Sequence, residues 1–427
     1  MRGRYFRYLF KNLDGSLFHI GSVFDKDNQK TTNYIYMVGS YYRSSRKKKS
    51  SDLFRQEKTI PKEIDMLILG GYTLKDLNKL IYMLKKYHIT TIVLPYYAPI
   101  QRLALMEETK ESGAAEEDLT KFLKSPYQFL KNAGIQQIYF LYGNGTAISC
   151  SPEELEPGIH FEQADRDTLK LIGEMEGYAV PVVQAGYIVE NNWLFYFGIY
   201  GVDIHLFSNF TRDYFSHIEN IREMSNNVYE DYASQTERLV QEFLKKFGSS
   251  PATTITMFEG PLYDSSSEND SFVTEKEFQQ PGGCMIWGGA PQDTGCMIKC
   301  LHDKDYDVMQ RHRQVKKGAL RFGILMLGNT NLNRYGSELV ARFWQLRFRI
   351  RGICIPSCGR GEDWNHQILE LSISEDRIYW VCSKHDITSV GVVSDIVLSS
   401  PNNRFVMVDE KKSCCISGYL IPREDLD

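Results

Sequence analysis

Cysteine and histidine are the residue types in this chain that could hold a metal ion. Cys284, Cys296, Cys300 and His302 could be read as four zinc ligands. Their spacing matches no common zinc site, and no Cys-x-x-Cys occurs among the nine cysteines. The nine histidines never occur as His-x-His or four residues apart. We therefore expect no metal ion and no other cofactor.

A basic segment, residues 43–52, could contact phosphate groups. Among its serines and a closing aspartate, the segment carries Arg43, Arg46, Lys47, Lys48 and Lys49. A run of like charges is more often a solvated surface loop than a binding site. The whole chain has a formal charge of −4, whereas nucleic-acid binders are usually basic. Nucleic acid is therefore a possible partner that the net charge does not support.

Thr73 and Asp76 have the spacing of a helix capping box. The Thr73 hydroxyl is expected to accept the backbone N–H of Asp76, whose carboxylate reaches back. A carboxylate also suits the positive end of the helix dipole. Gly70 and Gly71 permit a tight turn from the preceding strand. This loop thus has a complete structural interpretation without any ligand role.

The elements on either side of this loop form a strand–helix–strand unit. Residues 64–72 are a short apolar strand, residues 73–88 an amphipathic helix and residues 90–96 a second buried strand. A similar unit follows between residues 320 and 357. Such units predict parallel strand pairing in a sheet that helices cover. The predicted fold class is therefore α/β.

The pattern also predicts how the chain is divided. Residues 1–207 and 251–427 form two strand-rich halves, and the first 40 residues are a strand–turn–strand pattern. Apolar residues recur at three- and four-residue steps from 211 to 247, which predicts a helical insertion at residues 208–250 that contacts another surface. The polar stretch 265–271 and the glycine-rich stretch 280–295 predict long loops.

The strand–loop–helix over residues 64–80 resembles the signature of the metallo-β-lactamase fold. In active members of that family, a histidine-x-histidine-x-aspartate-histidine loop follows the strand and holds two metal ions that activate water. In this chain Gly71, Thr73, Lys75 and Asp76 occupy the four positions. An ammonium about 5 Å from a dication would be repelled by about 7 kcal/mol at an effective dielectric constant of 20. The resemblance therefore implies a former site without its ligands.

Three further segments resemble landmarks of the same family in the same order. Met37 stands where an acid normally precedes a glycine, and Asn329 stands where a bridging aspartate follows Gly328. Ser357 and Cys358 replace the two histidines of a later turn. The degenerate former site implied by the resemblance comprises Gly71, Thr73, Lys75, Asp76, Asn329, Ser357 and Cys358.

The resemblance implies a metallo-β-lactamase-like αββα four-layer sandwich with a helical insertion between its halves. It implies a catalytically inactive protein with no catalytic residue, acting as a binding, regulatory or structural subunit with a protein partner or as an oligomer. The segments at residues 68–80 and 91–97 are similar to a bacterial subgroup whose active members occur in anti-phage defence operons, so a defence role is implied by analogy.

Two alternatives remain open. A metal-dependent hydrolase or nuclease could use a non-standard ligand set of Asp76, Asn329, Cys358 and His385. A nucleic-acid-binding module could use the same cleft together with the loop from Arg43 to Lys49. Cys358 could also be nucleophilic beside His366 or His385, but idle thiols are commoner.

Composition limits the class and location of the protein. With 427 residues, 42% hydrophobic and 24% charged, the chain is not collagen-like, coiled-coil or wholly disordered. The longest apolar run, residues 193–202, is too short to span a bilayer. The first twelve residues lack the apolar core of a signal peptide, and the cysteines read as reduced thiols. We expect a cytoplasmic protein with no membrane contact.

Overall fold

The computed structural model of the chain describes the larger part of it. The described residues are 4–13, 16–25, 29–39, 57–112, 117–150, 152–201, 203–210, 213, 231–247, 253–262, 272–273, 276–279, 285–287, 323–355, 363–372, 378–383, 392, 395–396, 399–400, 403–408 and 414–421.

The strands fall along the whole chain. They are β1 (Arg4–Leu13), β2 (Ser16–Asp25), β3 (Lys30–Gly39), β4 (Glu63–Leu69), β5 (His88–Pro95), β6 (Gln137–Asn144), β7 (Gly158–His160), β8 (Val182–Ala185), β9 (Tyr187–Glu190), β10 (Trp193–Tyr200), β11 (Thr254–Pro261), β12 (Phe272–Val273), β13 (Lys276–Gln279), β14 (Met285–Trp287), β15 (Gly323–Met326), β16 (Ile350–Cys354), β17 (Ile378–Ser383), β18 (Asn403–Val408) and β19 (Cys414–Ile421).

The helices lie between these strands. The α-helices are α1 (Leu74–Lys86), α2 (Pro99–Ser112), α3 (Glu117–Lys124), α4 (Pro126–Asn132), α5 (Arg166–Glu176), α6 (Asp231–Phe247) and α7 (Leu332–Phe343). Short 3-10 helices are formed by Pro152–Glu154, Trp344–Arg349 and His366–Ser372.

The first sheet combines antiparallel and parallel strands. Its order is β12-β19-β1-β2-β3-β4-β5-β6-β8, and β13 also pairs with β19. Strands β1, β2 and β3 are antiparallel neighbours, whereas β3 through β6 and β8 run parallel. The predicted strand–helix–strand unit at residues 64–96 is confirmed as β4–α1–β5. The strand–turn–strand pattern of the first 40 residues is confirmed as β1 to β3.

The second sheet has the order β14-β18-β17-β16-β15-β11-β10-β9-β7. Strands β15 to β18 are parallel, and β11, β10 and β9 are antiparallel. The second predicted unit is confirmed as β15–α7–β16. Two mixed sheets joined by helices confirm the α/β class.

The two sheets pack against each other through aromatic and aliphatic side chains. This inner layer includes Tyr34, Tyr36, Met257, Met326, Trp193, Phe195 and Phe197. Helices α1 to α6 contribute to a second apolar cluster on the other face of the first sheet. Helix α7 and two of the 3-10 helices contribute to a third cluster on the other face of the second sheet. Each sheet is therefore buried on both faces, which explains the continuous apolar runs in β4, β5 and β10.

Helix α6 packs on the protein itself. Leu239, Val240 and Phe243 are buried in the apolar cluster outside the first sheet, and the ring of Phe247 lies 5.2 Å from that of Phe207. Helix α6 also contacts α2. The surface that these residues of α6 contact is therefore this chain's own first sheet and its helices. Residues 211–212, 214–230 and 248–250 of the predicted insertion lie outside the described residues.

One predicted loop contains a strand. Within residues 280–295, β14 pairs antiparallel with β18 at the edge of the second sheet. The loop prediction was wrong there. The apolar triplet from Met285 to Trp287 forms a strand, although glycines flank it on both sides. The other predicted loop, residues 265–271, lies outside the described residues.

Candidate functional site

Asp76 is the centre of a buried hydrogen-bond network at the start of α1. Thr73 is the N-cap of this helix, and its hydroxyl oxygen accepts the Asp76 N–H at 3.2 Å, as predicted. The carboxylate reaches back to Thr73, as predicted, and also contacts Gly39. Its Oδ2 accepts the Thr73 hydroxyl at 2.7 Å and the Gly39 N–H at 2.6 Å. The carboxylate thus ties the helix start to the end of β3.

Two residues that sequence reasoning missed complete this network. The Ser16 hydroxyl, at the start of β2, donates to Asp76 Oδ1 at 2.5 Å. Lys79 Nζ donates to the Ser16 hydroxyl oxygen at 2.8 Å. Thr73, Asp76 and Lys79 are spaced three residues apart and therefore lie on one face of the helix. This spacing could have predicted that Lys79 belongs to the network. Nothing in the sequence predicts that Ser16 lies beside Asp76 and Lys79.

The electrostatic balance of the network depends on Lys79. Burial raises the pKa of Asp76 above its usual value, while the Lys79 charge and the hydrogen bonds oppose this rise. Lys75, which the resemblance places at a ligand position, is only half-buried. The ammonium that neutralises this region is therefore one helical turn further along than the resemblance suggested.

Asn329 hydrogen-bonds to Gly39, the same residue that Asp76 contacts. Its Nδ2 donates to the Gly39 carbonyl at 2.8 Å, while Asp76 accepts the N–H of the same glycine. The Asn329 backbone N–H donates to Thr254 Oγ1 at 3.0 Å, and that hydroxyl donates to the Gly70 carbonyl at 2.8 Å. The structure thus brings Asp76 and Asn329 together at Gly39, and the Asn329 contacts connect the two sheets.

Glycine is required at two points of this junction. A Cβ on Gly39 would lie 2.6 Å from both carboxylate oxygens of Asp76. Gly328 has a φ of +60°, and a Cβ there would lie 2.4 Å from Thr254 Oγ1. Such contacts are too close for any side chain, so the polar groups pack directly against the backbone.

The remaining predicted site residues are divided between buried and undescribed positions. Gly71 is buried in the turn between β4 and α1. Several predicted residues lie outside the described residues: Ser357, Cys358, His385, Arg43, Arg46, Lys47, Lys48, Lys49, Cys284, Cys296, Cys300 and His302. Within the described part of the chain, no group of three or more His, Cys, Asp or Glu side chains could hold a metal ion.

A second buried carboxylate, that of Glu259, lies between the sheets. Glu259 on β11 accepts a hydrogen bond from the Tyr34 hydroxyl and another from Trp193 Nε1 at 3.1 Å. Its other oxygen lies 2.5 Å from His19 Nε2. The His19 ring also stacks on Phe10, with centroids 4.6 Å apart. The His19 and Glu259 side chains are both wholly inaccessible to solvent, so this cluster links the sheets and is closed to a substrate.

We found no match to a protein family, to a curated protein or to a solved structure. Among the helices of the described residues, none combines the length and the apolar composition that crossing a membrane requires.

Proposed function

We propose that this protein is a non-catalytic member of the metallo-β-lactamase fold that acts as a binding, regulatory or structural subunit. The observation that carries the proposal is the Asp76 network. Asp76 is the one carboxylate among the four loop positions of the resemblance, and donors from Ser16, Gly39 and Thr73 already engage both of its oxygens.

Metal catalysis by this loop would require oxygen lone pairs directed at an ion. A metal bound to Asp76 would have to compete with three hydrogen bonds and would lie close to the buried Lys79 ammonium. Two packed sheets with helices on their outer faces, and a strand–loop–helix at β4–α1, support the fold part of the proposal. The same features support an interpretation in which the former metal loop has become a structural junction.

Metal analysis tests this proposal. Protein purified without chelators, then equilibrated with zinc or manganese and desalted, is expected to retain well under one metal ion per chain by mass spectrometry. The Asp76→Asn variant should give the same content as wild type, and Asp167→Asn, at an exposed helix position, serves as the control. β-Lactam, thioester and phosphodiester substrates should show no turnover above background.

The opposite result supports the alternative hydrolase. Stoichiometric metal that is lost in Asp76→Asn but kept in Asp167→Asn, together with turnover that a chelator abolishes, would contradict the proposal. The ligand set of Asp76 and Asn329 with Cys358 and His385 would then be the leading interpretation.

The defence role is a further part of the proposal and rests on the resemblance alone. Deleting the gene from its native host is expected to raise the plating efficiency of at least one phage in a panel, and the Asp76→Ala gene should fail to restore protection. Unchanged plating across the panel would contradict a defence role while leaving the non-catalytic assignment in place.

A further inference from the structure

The side-chain amide of Asn144 continues the hydrogen bonding along one edge of β10. The pairing of β9 with β10 stops at Tyr196, and beyond it the Phe197 N–H donates to the Gly186 carbonyl at 2.8 Å. The Ile199 N–H then donates to Asn144 Oδ1 at 2.7 Å, and Asn144 Nδ2 donates to the Ile199 carbonyl at 3.0 Å. The amide thus pairs with Ile199 as a strand residue would, and it links β6 of the first sheet to β10 of the second.

This link requires an amide at position 144. Ile199 is 5% exposed, so its backbone groups need partners inside the protein. An aspartate at position 144 could still accept the Ile199 N–H, but its ionised carboxylate has no proton to donate to the Ile199 carbonyl. Two oxygens would then face each other where Nδ2 and the carbonyl oxygen are now 3.0 Å apart. Conversion of Asn144 to aspartate would therefore break half of the link and make the rest unfavourable.

Asn144 also belongs to the only Asn–Gly pair in the sequence. Glycine has no side chain beside its backbone nitrogen, which makes this pair especially prone to deamidation. The Gly145 nitrogen attacks Asn144 Cγ, the Cγ–Nδ2 bond breaks, and the amide leaves as ammonia with the proton of the Gly145 N–H. Water then opens the resulting succinimide ring at either carbonyl, which gives aspartate or isoaspartate. Water is the only co-reactant.

The fold engages both reacting groups. The Asn144 amide is bound to Ile199, and the Gly145 N–H donates to the Ala185 carbonyl at 3.1 Å. Arg342 Nη1 donates to the Gly145 carbonyl at 3.0 Å. These bonds must open before the Gly145 nitrogen can reach Asn144 Cγ. Asn144 itself is exposed, so water has access to it whenever the link opens.

We propose that Asn144 is a latent deamidation site whose conversion irreversibly breaks this link between the two sheets. The reaction advances only while the link is open, and its product no longer closes the link. None of the residues involved belongs to the Asp76 network, so this inference holds or fails independently of the proposed function.

Peptide mass spectrometry tests the site on the full chain. Folded protein and protein in concentrated urea are incubated at the same mildly alkaline pH, and aspartate and isoaspartate at position 144 are measured over time. Opening the link breaks two neutral hydrogen bonds, so the folded chain should react at least about tenfold more slowly. Asn192, which precedes the bulky Trp193, should stay unmodified in both samples. Equal rates in the two samples, or no reaction in urea, would overturn the proposal.

A substitution at Arg342 tests whether the local bonds control the reaction. Arg342→Lys loses the guanidinium contacts to the carbonyls of Gly145, Ala185 and Phe197, so the folded chain should deamidate about tenfold faster. Arg349→Lys is the control, because Arg349 is half-buried and donates to a carbonyl at the end of β11. It should keep the wild-type rate. Equal rates in the two variants would contradict control by this link.

Asn144→Asp reproduces one product of the reaction. Urea unfolding is expected to show an equilibrium constant of unfolding about tenfold to a hundredfold above that of wild type, because the Ile199 carbonyl loses its donor. Asn192→Asp adds the same charge at an exposed turn before β10 and should change this constant by less than about threefold. If Asn144→Asp is as stable as this control, the amide does not hold the sheets together and the proposal is wrong.

Discussion

Asp76 and Glu259 are both buried carboxylates, but they are stabilised in different ways. Asp76 accepts from two hydroxyls and a backbone N–H, and the charge of a buried lysine acts on it. Glu259 is surrounded by an imidazole, a phenol and an indole from both sheets. Three donors to a buried carboxylate can replace most of its lost hydration. The first group fixes a helix to strand ends, and the second fixes one sheet to the other.

The difference indicates how sensitive each region is to substitution. The partners of Asp76 are small groups at the ends of elements, where local adjustment can recover some hydrogen bonds. The partners of Glu259 are large rings in a close-packed interior, which has little freedom to relax. We therefore expect the largest losses of stability from changes at Glu259, with Asp76 and Lys79 following.

Replacing Glu259 with leucine should give the largest effect. The change removes the carboxylate that accepts from the Tyr34 hydroxyl and the Trp193 N–H in the protein interior, so we expect the free energy of unfolding to fall by about 3–5 kcal/mol. Urea unfolding followed by tryptophan fluorescence measures this loss. Glu190→Gln, which breaks an exposed pair with Lys30, should cost less than about 1 kcal/mol. Similar losses in the two variants would show that Glu259 is not a structural anchor.

The same two carboxylates show how far sequence reasoning could reach. Asp76 and Thr73 are three residues apart, so the cap could be predicted from local spacing. Glu259 is 240 residues from His19, 225 from Tyr34 and 66 from Trp193, and no local pattern relates such positions. The strand–helix–strand units were likewise predictable because each lies within one segment. The pairing of β19 with β1 joins distant segments, and it followed from no prediction.

Asp76→Ala should be the next most damaging change. It removes the acceptor of the Gly39 N–H and of two buried hydroxyls, and it removes the negative charge that faces Lys79, so we expect a loss of about 3 kcal/mol. Chemical unfolding measures it. Asp167→Ala, at an exposed position of the first turn of α5, is the control and should change stability by less than about 0.5 kcal/mol. A loss at Asp76 no greater than that of the control would contradict the network.

Lys79→Met should cost about 1–2 kcal/mol at neutral pH, because the ionised Asp76 loses its nearby cation while methionine keeps much of the side-chain packing. Lowering the pH should reduce this cost, since Asp76 becomes neutral and no longer needs the cation. Lys75→Met, at the half-buried neighbouring position, should have little effect at any pH. Equal effects at positions 75 and 79 would show that the cation has no specific role.

Asp76→Asn should have the smallest effect and the most informative pH dependence. Asparagine can accept from Gly39 and Thr73 through its oxygen and donate to Ser16 through its nitrogen, so stability at pH 7 should stay within about 1 kcal/mol of wild type. Burial raises the pKa of Asp76, so the protonated carboxyl group contributes to the stability of the folded protein. This contribution is fully present below the usual pKa of 3.8. It is lost as the pH rises through the raised pKa.

Asparagine does not titrate, so the comparison isolates this one group. The free energy of unfolding of wild type, minus that of Asp76→Asn, should be largest near pH 3 and decrease as the pH rises towards 7. Urea unfolding of both proteins across that range measures the difference, and Asp167→Asn controls for charge lost at the surface. A difference that instead grows with pH would mean that the network favours the ionised carboxylate. In that case Lys79 and the three donors would outweigh the desolvation of the Asp76 carboxylate.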